Sequence, residues 1–427
     1  MVLPRSRLAL LTQPDAFYWA TGIEDSFIIA PWPKNGRIMD EYELTGHYQR
    51  WREDLALMAR LGVRTARYGV PWHRISPAPR RWDWSWSERS LERLLELGID
   101  PIVDLVHYGV PQWMEGAWLH PDFPEHMAEY AARLAERFRG RIRWWTPLNE
   151  PRITAWNCGK LGWWPPCLKG WHGFVQVLLP LCRGIVRTGQ ALRAVDSENV
   201  LVHVDATNLW LPPVPHEEDL IAQTQFRRDL VFLALDLISG RVSEEHPLWH
   251  WLLRHGASAA TLEWFQEHGI ELDIIGLNLY PMLSQKQFVR SSSGRVYLRY
   301  PYGCAAMIEQ IVELYWNRYH RPMMIAETAG RGRVARRMAW LHESVAGVRH
   351  LRERGIPLVG YTWWPMFALV AWAYRQGNDP LGNYVVQMGL WDLDRDTLER
   401  VHTPLVDAYR ELVTGGAKSV GLLSHES

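Results

Sequence analysis

Two glutamates stand where an apolar run ordinarily ends in a turn residue. Glu150 closes Arg-Trp-Trp-Thr-Pro-Leu-Asn-Glu-Pro over 143–151, and Glu327 closes Pro-Met-Met-Ile-Ala-Glu-Thr over 322–328. Two carboxylates presented from parallel strands of one sheet are the minimum equipment for cleaving a glycosidic bond: one protonates the leaving oxygen and the other serves as nucleophile or base. The competing reading is that either glutamate caps a neighbouring helix. The pair speaks to reaction type and says little about the sugar.

What must position them is a repeating alternation. Short apolar, β-branched or aromatic runs fall near 16–21, 63–70, 101–106, 142–148, 200–206, 272–279, 322–326 and 357–363. Leu61-Gly62-Val63, Leu97-Gly98-Ile99 and His268-Gly269-Ile270 precede runs and read as helix ends with a left-handed glycine cap. Between the runs lie amphipathic stretches at 47–61, 87–97, 124–138, 171–194, 304–319 and 336–354; the first sets Trp51, Leu55, Met58 and Leu61 at helical spacing. Eight strand–helix alternations predict an α/β fold, a (β/α)8 TIM barrel. Neither linker nor repeat divides it, so residues 1–413 read as one domain and 414–427 as a loose C-terminal tail. The connections 151–171, 207–271 and 280–321 are long enough to decorate the barrel mouth, and the last carries a hairpin signal at Phe288-Val289-Arg290 and Val296-Tyr297-Leu298. Glu150 then follows strand 4 and Glu327 strand 7, both on the C-terminal face.

Composition excludes several classes. The chain has 427 residues, 47% of them apolar, with a formal net charge of +0, which argues against nucleic acid or an anionic membrane as partner. The only lysines are Lys34, Lys160, Lys169, Lys286 and Lys418. Cys158, Cys167, Cys182 and Cys304 form no Cys-x-x-Cys pair, so free thiols are expected in place of a zinc ribbon. No run is long enough for a spanning helix, and Leu8–Leu11 is too short for a signal peptide; a soluble cytoplasmic protein is expected. Oligomeric state has no signature here. The 25 tryptophans supply core and flat surfaces on which sugar rings stack.

The motifs resemble glycoside hydrolase family 1, the β-glucosidase family. Thr146-Pro147-Leu148-Asn149-Glu150-Pro151 is similar to its acid/base motif. Ile325-Ala326-Glu327-Thr328-Ala329-Gly330 is similar to its nucleophile motif, with Ala329 where Asn is usual. His47–Asp54, Arg67–Ile75 and Val106–Trp113 resemble its first helix and its second and third strands. The resemblance spans roughly 16–413, and the motifs occur in order, as in a divergent member.

The resemblance implies a retaining β-glycosidase acting by double displacement on a β-linked glycoside or oligosaccharide, with no cofactor and no metal. Glu150 would be the acid/base and Glu327 the nucleophile. Arg67 would hold Glu327 ionised, and Tyr280 would hydrogen-bond it. Asn149 would bind the sugar 2-hydroxyl, His107 another hydroxyl of the ring, and Trp364 and Trp372 would line the sugar pocket. Two departures bear on the sugar. Ala371 stands where the family has a Glu for the 4- and 6-hydroxyls, and Glu24 lies near the place of a sugar-binding Gln and is its candidate substitute. Losing one charged contact weakens glucose binding by roughly 1–3 kcal/mol.

Other outcomes stay open. A Trp-rich acceptor site would suit transglycosylation. Arg331, Arg333, Arg336 and Arg337 after the nucleophile strand suit a 6-phospho or otherwise anionic glycoside, or else a solvated helix start. Ala371 and Ala329 would also suit a non-catalytic carbohydrate-binding barrel. His246 and His250 have helical ligand spacing, but Pro247 intervenes and no third ligand is evident.

Overall fold

The computed structural model describes residues 16–421. Eight parallel strands close into a barrel: β1 Tyr18–Gly22, β2 Thr65–Gly69, β3 Asp100–Asp104, β4 Trp144–Thr146, β5 Val200–Ala206, β6 Ile274–Asn278, β7 Met323–Thr328 and β8 Leu358–Trp363. Each pairs with its chain neighbours and β8 returns to β1, with Trp19 level with Tyr361. This is the (β/α)8 barrel expected from the alternation.

Side chains alternate across each strand, and that alternation sorts the core. Ile102, Val200, Val202, Val204, Ile274, Met324, Ala326 and Val359 fill the barrel interior as one cluster. Outward residues pack against the helical ring: α1 His47–Arg60, α2 Ser85–Glu96, α3 Phe123–Arg137, α4 Gly170–Val195, α5 Glu218–Ile238, α6 Ala305–Tyr319, α7 Val334–Glu353 and α8 Pro404–Gly415. The long 207–271 connection holds α5 and also the helix Ala259–His268; α5 shows no single stripe because nearly all of 230–238 is buried, and the shorter helix shows little of one because it buries only Leu262 and Phe265. The expected hairpin forms from Gln285–Arg290 and Val296–Arg299, and its first strand adds in parallel to Leu209–Trp210.

Two expectations are corrected. Gly62 and Gly98 are left-handed as anticipated, but Gly269 is not, with φ −50. It is needed for space: a Cβ there would lie 2.7 Å from the backbone nitrogen of Gly240. The C-terminal segment is not loose from residue 414. α8 runs to Gly415, a 3-10 turn covers Gly416–Val420, and Val420 is fully buried. Trp19 Nε1 donates to the Gly416 carbonyl (3.0 Å) and Arg352 Nε to that of Gly421 (2.8 Å). Polar composition hid this because the contacts use backbone carbonyls, which every residue possesses. Residues 422–427 lie outside the described residues, as do 1–15.

One close approach braces the catalytic face. The Phe27 amide donates to the His107 carbonyl (3.0 Å), and a Cβ on Gly109 would sit 1.6 Å from the Phe27 carbonyl oxygen. Backbone cannot yield there as a flexible side chain would. Gly109→Ala should therefore destabilise the fold by roughly 1–3 kcal/mol, read as a lowered midpoint in urea unfolding.

Candidate active site

β4 ends at Thr146, yet the chain keeps its register past it. Asn149 bridges to Val204, and the Glu150 amide donates to the Val204 carbonyl (2.9 Å). Pro151 then opens the short helix Pro151–Ala155, a position where its missing N–H costs nothing. Glu150 is left as the cap in the left-handed region, at φ 48. A non-glycine residue there costs roughly 1–3 kcal/mol, so the surroundings must hold it. Asn278 Nδ2 donates to Oε1 (2.8 Å) and the Tyr108 hydroxyl to Oε2. Tyr108 is itself left-handed, at φ 66.

Glu327 sits near the end of β7, where the pairing with both neighbours slips register between Ile325 and Thr328. Such irregularities re-aim side chains beside functional sites. The Tyr280 hydroxyl donates to Oε2 (2.8 Å) and Arg67 Nη1 to Oε1. Burial pushes the Glu327 carboxyl up, to about 7, against the pull of Arg67; Glu150 pushes the same way. The expectation that Arg67 holds Glu327 ionised is thus met only in part: Arg67 lowers the pKa, but burial is the larger effect and the net shift is upward.

Arg67 lies on the inward face of β2 and is buried. Its Nη2 donates to Asp104 and to Asn149 Oδ1 (2.6 Å), and its guanidinium lies 4.5 Å from the Trp364 ring centroid. Burial opposes its charge, but Asp104 and Glu327 outweigh burial and keep it protonated. A second charged layer stands behind. His107 Nδ1 is 2.7 Å from Asp25 Oδ1 and 3.1 Å from Asp104 Oδ2, and its Nε2 is 2.9 Å from the Asn149 amide nitrogen. Burial lowers the His107 pKa, and the two acids raise it by more. Burial also lifts Asp25 to about 6, while for Asp104 the pull of Arg67 and His107 exceeds the effect of burial.

A cavity of about 490 Å³ opens on this face, lined by Glu24, His107, Tyr108, Glu150, Asn278, Tyr280, Glu327, Ala371 and Trp372 among others. Both glutamates reach it. Glu24 accepts from Ser26 Oγ (2.7 Å) and Trp364 Nε1 (3.0 Å). Asn149, Arg67 and Trp364 do not line it: they are buried beneath its floor, with Arg67 touching both of the others. Trp372 is 39% exposed and stands edge-on to Tyr108 and Trp164. Of the four arginines after β7, Arg331 faces the cavity, while Arg337 is buried against Asp392 (2.7 Å) and the Gly389 carbonyl (2.6 Å). His246 bonds to Asp236 (3.2 Å), away from the cavity. Sequence reasoning missed Tyr108, Asn278, Asp104 and Asp25. An acid inside the apolar run at 101–106 was the one available signal for Asp104.

A model of glycosyl hydrolase family 1 matches residues 21–281. The chain belongs to glycosyl hydrolase family 1. Its relatives are distant, as the divergent motifs imply. Beta-glucosidase A of Thermotoga maritima is 23% identical, covering 83% of each chain. Thermostable beta-glucosidase B of Thermobispora bispora is 33% identical over a shorter stretch, 34% of this chain and 35% of that one. The solved family 1 β-glucosidase from Thermotoga maritima superposes with a TM-score of 0.81 at 22% identity, covering 96% of this chain and 99% of that one. The family makes this protein a glycoside hydrolase. No described helix is long and apolar enough to cross a membrane.

Arg67 is the cation bonded to Glu327, so Arg67→Gln should raise the Glu327 pKa above about 7. Activity that needs the ionised form is lost as pH falls through that pKa. The acid limb of the kcat/KM profile should stand near 7 in the native enzyme and move upward by about one unit or more in the variant.

Proposed function

We propose that residues up to 413 act as one catalytic unit, a retaining β-glycosidase that hydrolyses β-linked glycosides with Glu327 as nucleophile and Glu150 as acid/base. The observation that carries this reading is that both carboxylates open into one cavity, each gripped by a tyrosine hydroxyl. A Glu327 oxygen attacks the anomeric carbon as the bond to the leaving oxygen breaks, and Glu150 gives that oxygen its proton. Water then attacks the same carbon, Glu150 takes its proton, and the ester to Glu327 breaks. Esterification removes the Glu327 charge, which favours ionisation of Glu150 for the second step. Arg67 and Tyr280 stabilise the carboxylate that is released. Asn149, now beneath the floor, meets the 2-hydroxyl if its bond to Arg67 or His107 is exchanged on binding. His107, Glu24 and Trp372 face the ring directly, and Trp364 supports Glu24 and Arg67 from below.

Glycone recognition is rewritten. Ala371, Leu369, Val386 and Met388 leave an apolar wall beside Arg331. Such a wall suits a sugar that lacks a polar O6, and a relative from Bifidobacterium breve carries the name bifunctional β-D-glucosidase/β-D-fucosidase. We place the enzyme in a reducing, cytoplasmic setting; Cys158 and Cys182 are buried as thiols.

Incubation with a 2-deoxy-2-fluoro glycoside should add one glycosyl mass to the native enzyme and none to Glu327→Gln. Glu150→Ala should lose roughly 10²–10⁴ in turnover of substrates with poor leaving groups and regain activity with azide. Absence of any adduct across glucoside, galactoside, fucoside, xyloside and mannoside probes would sink the double displacement. On nitrophenyl glycosides, fucoside or xyloside should be cleaved with higher kcat/KM than glucoside.

A further inference from the structure

Lys286, on the first hairpin strand, is an ammonium facing the cavity with little to hold. An ammonium carries three donors. Among the described residues the one acceptor bonded to it is Asn208 Oδ1 at 3.2 Å, and Arg152 Nη2 shares that oxygen at 3.3 Å. Two ring faces lie near it, Trp210 at 5.7 Å and Tyr300 at 5.9 Å. Burial lowers its pKa to about 7, with Arg152 and Arg227 adding repulsion.

The surroundings deepen the imbalance. Arg227 lies 5.1 Å from the rings of Trp156 and Trp171, and Lys160 lies 4.2 Å from Trp171. Among the described residues none of Lys286, Arg152, Arg227 and Lys160 has a carboxylate within salt-bridge distance. Asp205, which feels the charge of Arg152, is pushed up by burial to about 8 and so carries little negative charge at neutral pH. Arg152 is buried and the other three are half-buried, and cations withdrawn from water without a counter-charge are costly. A ligand that brings the missing charge recovers that cost.

Position says which part of a substrate this would be. Asn208 joins Lys286 to Arg152, two residues beyond Glu150, the residue assigned to protonate the leaving oxygen. Trp156, Trp163 and Tyr300 line the same flank, the last two about half exposed. Flat apolar faces beside one ammonium match a ring bearing an acidic oxygen group. We propose that the leaving-group side of the cavity is a subsite for an anionic aromatic aglycone, whose carboxylate or phosphate monoester is received by Lys286. This rests on the catalytic reading above, and the test separates the two.

The enzyme is assayed with 4-nitrophenyl and 3-carboxy-4-nitrophenyl β-glycosides of one sugar. The native ratio of kcat/KM should favour the carboxylated substrate by about tenfold or more. Lys286→Met should bring that ratio to about one, and Lys286→Arg should retain part of it; a ratio within each variant is insensitive to partial misfolding. A native ratio at or below one, or a preference unchanged in Lys286→Met, overturns the subsite. Calorimetric titration with free 4-nitrophenol, 5-hydroxy-2-nitrobenzoate and 4-hydroxyphenyl phosphate needs no turnover and ranks carboxylate against phosphate. If neither glycoside is cleaved but the acidic phenols bind more tightly and Lys286→Met abolishes the difference, the subsite stands and the hydrolytic reading falls. Equal binding of all three overturns the subsite whatever the turnover.

Discussion

A buried guanidinium organises this barrel. Arg67 projects inward from β2 and touches Glu327 from β7, Asp104 from β3, Asn149 beyond β4 and the face of Trp364 after β8. A cation in that position is tolerable only if its donors are met and its charge is balanced, since desolvation costs several kcal/mol for an unpaired ion. The balance is distributed among strands that lie far apart in sequence. Each partner is therefore held where Arg67 requires it, and the geometry of the floor follows. Its planar fork suits this task in a way the single ammonium of a lysine would not.

Around that centre the acids are graded by what surrounds them. Asp104 bonds to Arg67 and neighbours His107, and its pKa is held down. Asp25 has the same histidine but less of the guanidinium, and burial lifts it to about 6. Burial, helped by the nearby Glu150, lifts Glu327 to about 7 against the pull of Arg67. The same chemical group thus spans several protonation regimes in and behind one cavity. That gradation is the raw material of acid–base catalysis, in which one carboxyl must give a proton while its partner stays charged.

The pocket above the floor is less uniform. On the side of Ala371 the lining is apolar with Arg331 at its edge, whereas on the side of Lys286 cations gather with no carboxylate of the described residues within salt-bridge distance. The two halves of a glycoside would meet different chemistry, an apolar wall for the ring and a positive one for what leaves. Loops after barrel strands tolerate such differences because they add little to the core that holds the strands.

The sequence by itself determined the architecture and singled out the two glutamates proposed as the reacting pair. Short apolar runs and stripes with period 3.6 are local signals, and eight such runs with amphipathic stretches between most of them leave few folds to choose from. Glu150 and Glu327 were legible because a carboxylate ending an apolar run is anomalous on its own terms. The tertiary structure decided what no window of sequence contains. It set Tyr108 on Glu150, Asp104 on Arg67 and Lys286 beside Asn208; it put Asn149 and Trp364 beneath the floor; and it packed residues 414–421 against the barrel. The reason is physical: those features depend on distances between segments tens to hundreds of residues apart and on burial that only chain closure creates. Charge state follows the same rule, because a pKa responds to desolvation and neighbouring charge, and neither exists until the barrel closes.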